Sequence, residues 1–437
     1  MYHKSKIESL YDLVTGDEDT RVCKDIPDAA CNDQPRNFFA YLTANVLNKI
    51  ADEIASAKLV LPWLLGVLGV PAAFTGFLVP IREAGVLLPQ LLVAAYIRHV
   101  AVRKWVWVLG AGLSALALVA MGLTALSLNG AAAGWAIIGA LVVFSLARGI
   151  CSVSAKDVLG KTVSKSRRGN LMGLATGIAG LATLGVGVAL TLLRDADLGP
   201  ALIAGLILLA ALLWVPAIAA FILIREQPGA TEGGGNALAE ALRSLALLKT
   251  DTAFRHFVIA RTLLLSVALA PPFYVLLAQQ HTGGLADMGM LVIAGGIAGS
   301  ISAPVWGRMG DRSSRRVMAL ASFMAGLLGV ATAALAWLDS PLLDHGLVHA
   351  AIFLLLTVAH SGVRLGRKVY LVDMATQATR AAMVAVSNTV IGVAMLAAGL
   401  IGVLGDVLGT AAVILVLALA SFVATLYAMN LAEVSEG

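Results

Sequence analysis

Of 437 residues, 59% are hydrophobic and 13% charged, and the mean hydropathy is +0.88. Soluble chains carry about 25% charged residues, so this composition cannot build an aqueous surface, and a soluble enzyme or a nucleic-acid-binding protein is excluded. The net charge of +5 speaks first of orientation in a membrane, and three cysteines, Cys23, Cys31 and Cys151, make no disulfide framework.

A membrane-spanning helix needs about 20 mostly apolar residues. By that ruler a polar, acidic tail, 1–37, precedes six spans at 38–65, 73–96, 105–128, 134–156, 170–192 and 199–224, which form an N-terminal half, 38–225. A linker, 226–254, contains Gly233, Gly234 and Gly235, and Leu238, Ala241, Leu242, Leu245 and Leu248 recur behind them at the spacing of an amphipathic surface helix. Six further spans follow at 255–280, 284–306, 317–338, 345–368, 383–404 and 408–430, giving a C-terminal half, 255–430, and a short tail, 431–437. Of the 31 basic residues 24 then lie on one side of the membrane and six within spans, whereas the loops of the other side hold Arg194 alone. The positive-inside rule puts both termini in the cytoplasm. The expected fold is all-α and integral to the membrane, with twelve helices in two pseudo-symmetric halves.

Shifting the chain by 212 residues brings Lys49 onto Arg261, Arg103 onto Arg315, Lys104 onto Arg316, Lys156 onto Lys368 and Arg168 onto Arg380, and superimposes the six spans of each half. A repeat of six spans gives both halves the same topology. On the loop after span eight, Gly307-Arg308-Met309-Gly310-Asp311-Arg312-Ser313-Ser314-Arg315-Arg316 resembles the loop signature of the major facilitator superfamily. The resemblance implies alternating access between two halves, with spans one, four, seven and ten lining a central cavity. It also implies a gating role for Gly307, Gly310, Asp311 and Arg312. The first-half counterpart, Arg98 to Lys104, keeps the basic pair without the glycines or the aspartate.

Ionisable residues inside a span are costly and nominate function. Span one carries Asn45, Asn48, Lys49, Asp52 and Glu53, and span two carries Arg82 and Glu83. Spans four and ten carry matching ladders stepping by four residues, Arg148, Ser152, Lys156 and His360, Arg364, Lys368, and span seven adds Arg261. Guanidinium groups bind carboxylates and phosphates bidentately. Arg148, Arg364, Arg261, His360, Asn45 and Asn48 are therefore the expected binding set for a small organic anion. Asp52, Glu53 and Glu83 are the expected carriers of a coupling proton, or of sodium, with Lys49 and Arg82 as ion-pair partners; permanent pairing that keeps those acids inert is the competing expectation. Structural ion pairs for Arg148 and Arg364, and interfacial anchoring for Lys156 and Lys368, are the alternatives to a binding role. Asp157 and Asp373 are expected to pair with Lys161 and Arg367.

Other patterns are read as structural. Ala155 to Thr162 fits a relaxed phosphate-loop pattern but closes a membrane helix and lacks the first glycine, so ATP binding is not expected. Gly169, Gly173 and Gly177 are read as close helix packing. No cofactor, metal site or catalytic constellation is expected. The function expected is proton-coupled secondary transport in a bacterial cytoplasmic membrane, by a monomer whose partners are the lipid bilayer, the solute and the coupling ion. Two rivals remain, a polyspecific drug/proton antiporter and a non-transporting receptor or lipid-handling protein on the same fold. Span five lacks the glycine-proline pair that marks the family's drug/proton antiporters.

Overall fold

The computed structural model describes residues 6–15, 26, 28–97, 99–193, 199–229, 245–376 and 379–434. Among them there is no strand. Ten helices are long and apolar enough to cross a membrane: Lys104–Ser127, Gly130–Thr162, Lys165–Leu192, Gly199–Ile222, Thr252–His281, Leu285–Gly310, Ser314–Trp337, Gly346–Met374, Ala382–Leu408 and Thr410–Met429. They fall on expected spans three to twelve. Thr162 and Met374, which end spans four and ten, keep the 212-residue offset.

Spans one and two are broken. Span one runs as Gln34–Ile54 and resumes as Val60–Val67. In the gap the Ser56 hydroxyl accepts the Lys58 backbone N–H at 3.3 Å, a local bond that competes with the helical ladder. Span two runs as Ala72–Leu87 and Gln90–Ile97, divided at Pro89, which has no N–H to continue the helical ladder. Span seven is also interrupted, at Leu264 and again before Pro271-Pro272. Ala155 to Thr162 are the last two turns of the 33-residue helix of span four, with no strand before them. Most of the expected linker helix lies outside the described residues, which resume at Leu245.

One hydrophobic core gathers spans one to six around Trp63, Trp107, Trp214 and Phe144, and a second gathers spans seven to twelve around Phe257, Tyr274, Trp306 and Tyr370. Trp107 stacks on Phe221, ring centres 3.9 Å apart, and Phe257 on Tyr370 at 5.3 Å. The first core includes Val275, Ala278, Met288 and Leu291 of the second half, and the second includes Val79 of the first. These shared residues mark where the halves meet.

The halves meet toward the bundle end opposite Arg103, Lys161 and Arg315, here called the far end. A Cβ placed on Gly76 of span two would lie 2.7 Å from Gly402 of span eleven, so backbone meets backbone there. Beside this crossing the Asp406 carboxylate accepts the N–H groups of Ala72 and Ala73, at 2.6 and 3.1 Å. A carboxylate suits that position because the first N–H groups of a helix have no internal partner and carry partial positive charge. Spans five and eight cross in the same way at Gly187 and Gly289. Toward the basic end they separate, and a Cβ on Gly169, Gly173, Gly177, Gly299 or Gly307 would meet nothing within 4 Å. The expected packing of the span-five glycines is therefore not realised in this conformation. The cleft between the halves is closed at the far end and open at the basic end.

At the basic end each half is tied by a glutamate just past its last span. Glu226, fully buried, accepts the backbone N–H groups of Arg103 and Lys104 at 3.0 and 2.7 Å and pairs with Lys161 at 2.9 Å. Glu433 accepts from Ser313 and Arg315 at 2.6 and 2.9 Å. Glu226 thus supplies an acid on the side of the first-half loop that has no aspartate of its own. It also corrects the expected pairing, because Lys161 goes to Glu226 and Asp157 to Arg103, at 2.6 Å. Asp373 makes no bond with Arg367. Glu226→Ala leaves two helix-start N–H groups and a largely buried ammonium without their acceptor. It is expected to lower stability by about 2–3 kcal/mol, read from thermal unfolding of the purified protein in detergent.

Candidate functional site

The break in span one places its charges. Asp52, on the last turns of the first segment, is held by two guanidinium groups. Arg148 of span four reaches it at 2.6 Å and Arg82 of span two at 3.4 Å. Arg148 also lies 5.0 Å over the Trp214 ring and Arg82 5.2 Å over Phe144, a geometry in which an aromatic face attracts a cation. The three charged side chains are only 13–22% exposed. Arg148 is thus part of a knot within the first half, and the acid that neutralises it is one of the three expected proton carriers. Arg82 pairs with an acid of span one, as depth suggests.

Arg261 is likewise engaged within its own half. Its two terminal nitrogens donate to Ser387 Oγ at 2.6 Å and Asn388 Oδ1 at 3.0 Å, both on span eleven. Its Nε is buried without a partner. Asn45 and Lys49 turn to span five, Asn45 Nδ2 toward the Met172 sulfur at 3.5 Å and Lys49 Nζ to Thr176 Oγ1 at 3.1 Å. Asn48 Oδ1 is buried and unbonded. The six expected binding residues therefore do not converge as one cluster.

Span ten behaves differently from span four. Arg364 and Lys368 are exposed and make no hydrogen bond or ion pair with a described residue. They line a cavity of about 400 Å³ with Gly299, Ser302, Ala303 and Trp306 of span eight. Trp306 is fixed there by its indole N–H, which donates to the Val358 carbonyl at 2.8 Å. Across the cleft Glu53 is exposed and free of any ion pair, with Asp52, Lys58, Lys49 and Arg364 as the charges around it. Glu83 pairs with Lys58 at 3.4 Å, and Lys58 Nζ lies 3.3 Å from His360 Nε2 of span ten. The ladders that match position for position in sequence thus lie in opposite environments. Arg148 has a carboxylate and a tryptophan, whereas Arg364, a turn nearer the basic end, has open space.

The sequence assigns no binding or coupling role to Lys58, Trp214, Ser387 or Asn388. Lys58 is legible as a lysine deep in a span, but its partners lie on spans two and ten and carry no local signal. Arg367, at the inner end of expected span ten, stands well inside the helix Gly346–Met374, half-buried near Glu83. Asp311 and Arg312 are exposed, and their side chains form no hydrogen bond or ion pair with a described residue in this open conformation.

The fold is that of a multi-pass membrane protein with a cleft between two halves. Residues 257–436 match the family described as the Major Facilitator Superfamily. Similar solved structures include the nucleoside transporter NupG, with 15% identity over 90% of this chain and 98% of that one and a TM-score of 0.67. A POT family transporter in complex with 5-aminolevulinic acid has 12% identity over 93% and 98% and a TM-score of 0.70. A D-xylose-proton symporter has 12% identity over 92% and 98% and a TM-score of 0.67. No curated protein matches the sequence. The family match is thus confined to the second half, whereas the likeness of fold to these solved structures runs over nearly the whole length.

Proposed function

We propose that the protein is a proton-coupled secondary transporter of a small organic anion, working by alternating access in a bacterial cytoplasmic membrane with both termini inside. The single observation that carries the solute class is Arg364, a guanidinium on a cavity wall with no counter-ion, next to Lys368. An arginine in such a place is costly without an anion to neutralise it, and its planar fork suits a carboxylate or phosphate. Arg148 and Arg261, bonded within their own halves, serve as supports. Glu53 is the acid best placed to carry the proton, being unpaired and open to the cleft, and Glu83 is the second. With the termini inside, the conformation is inward-open. Asp311 and Arg312 then stand ready to engage when the basic ends of spans five and eight close. The fold of the xylose-proton symporter supports the general mode of action and says nothing of the solute.

The test is a thermal-shift screen of small carboxylates, phosphates, neutral sugars and cationic drugs on purified protein. At least one carboxylate or phosphate is expected to stabilise the protein. Arg364→Ala is expected to weaken that binding by roughly ten- to a hundredfold, the worth of one charge-assisted hydrogen bond of about 1.5–3 kcal/mol. Stabilisation by cationic drugs alone, or an unchanged affinity in Arg364→Ala, would overturn the anion reading.

A further inference from the structure

Lys58 is the charged residue that links the two halves inside the cleft, and neither the loop signature nor the basic ladders point to it. It stands in the five-residue gap of span one, held by the Ser56 turn. From there its Nζ reaches Glu83 of span two at 3.4 Å and His360 of span ten at 3.3 Å. Span ten belongs to the other half. With Lys58 as an ammonium, the bond runs from Nζ to Nε2. That direction requires a neutral imidazole with its proton on Nδ1, and Nδ1 is buried with no partner.

The link therefore holds only while Glu83 is ionised and His360 is neutral. A proton on Glu83 removes the anion that anchors Lys58. A proton on His360 sets two cations against each other at 3.3 Å. Either event releases the first half from the second at this point. The other charges facing the link are Glu53 of span one, with Asp52 beside it, Arg82 of span two, Arg261 of span seven, and Arg364, Arg367 and Lys368 of span ten. Glu53 lies on the same span as Lys58 and offers the freed ammonium an alternative carboxylate, one that does not bridge the halves.

We infer that Lys58 is the positioning residue that couples protonation to the movement of the halves, bridging Glu83 and His360 in the open conformation and leaving them when the site takes up a proton. The inference rests on the alternating-access reading above, but not on the nature of the solute.

The experiment needs no solute. Spin labels are attached through Gly169→Cys and Gly307→Cys, two positions where an added side chain meets open space, in a chain whose Cys23, Cys31 and Cys151 are replaced by serine. Distances are measured in lipid nanodiscs between pH 8 and pH 5. The long-distance, open population should fall on acidification, the open-to-closed ratio changing on the order of tenfold. Lys58→Met and Lys58→Gln should each flatten that response, Lys58→Arg should keep it, and Glu83→Gln combined with Lys58→Met should add nothing to either alone. A parent protein without a pH response, or a Lys58→Met or Lys58→Gln protein that retains it, would overturn the assignment. If no anion binds in the thermal-shift screen while Lys58→Met loses the pH response, the solute reading fails alone. If an anion binds through Arg364 while Lys58→Met responds normally, the coupling role fails alone.

Discussion

Asp52→Asn is expected to be among the most destabilising substitutions available in this protein, by about 3–5 kcal/mol. The reason is the number of charges left behind. Asp52 accepts from Arg148 at 2.6 Å and from Arg82 at 3.4 Å, and no other acid among the described residues pairs with either. Removing one partner of a buried ion pair is strongly destabilising because the remaining charge keeps its desolvation cost without its compensation; here two cations remain. Unfolding of the purified protein in detergent, by heat or denaturant, measures the loss. Asp52→Asn combined with Arg148→Gln should recover part of it, since one stranded cation is then gone. Arg82→Gln alone should be milder, its bond being the longer of the two. An Asp52→Asn protein as stable as its parent would mean that the knot is not structural and would return Arg148 to the candidate binding set.

The second large effect is expected from Gly76→Val. At the crossing of spans two and eleven a lone Cβ would already lie 2.7 Å from the Gly402 backbone, and neither backbone is free to move as a flexible side chain would. Overpacking of this kind costs about 1–3 kcal/mol or more, but only in the conformation whose far end is closed. The substitution should therefore shift the equilibrium toward a far-end-open form by roughly ten- to a hundredfold, with little change in overall stability. A cysteine introduced by Gln279→Cys, where Gln279 packs on Gly66, should become reactive to a membrane-impermeant maleimide applied to the far side. The label pair on spans five and eight should move closer. Asp406→Ala acts on the same closure through two hydrogen bonds and should produce a smaller shift in the same direction. Unchanged labelling in Gly76→Val would show that the crossing is not part of the gate.

The two outcomes separate classes of evidence that look alike in the sequence. Arg148 and Arg364 sit on matching ladders, and composition, depth and the repeat treat them almost equally. They differ because span one delivers Asp52 into an ion pair with Arg148, whereas Glu53 near Arg364 forms none. Asp157 and Lys161 are neighbours at helical spacing, yet they bond to Arg103 and Glu226 instead, because the loop after span two and the start of the linker converge under the first half. Gly169, Gly173 and Gly177 carry the spacing of a packing face, yet they face open space in a conformation where span eight has swung away at that end.

The amino-acid sequence by itself determined the membrane location, the ten long apolar spans, the two broken ones as hydrophobic segments, the basic end, and the list of charges too costly to be ornamental. Those are properties of one helix at a time, and hydropathy and charge are additive along a chain. Tertiary structure alone decided which of those charges neutralise one another, that Lys58 joins the halves, that Arg364 is left over, and which end of the cleft is closed. Ion pairs and hydrogen bonds form between spans separated by 30 to 302 residues, and at a few ångströms their energies depend on the relative placement of whole helices, which periodicity does not encode.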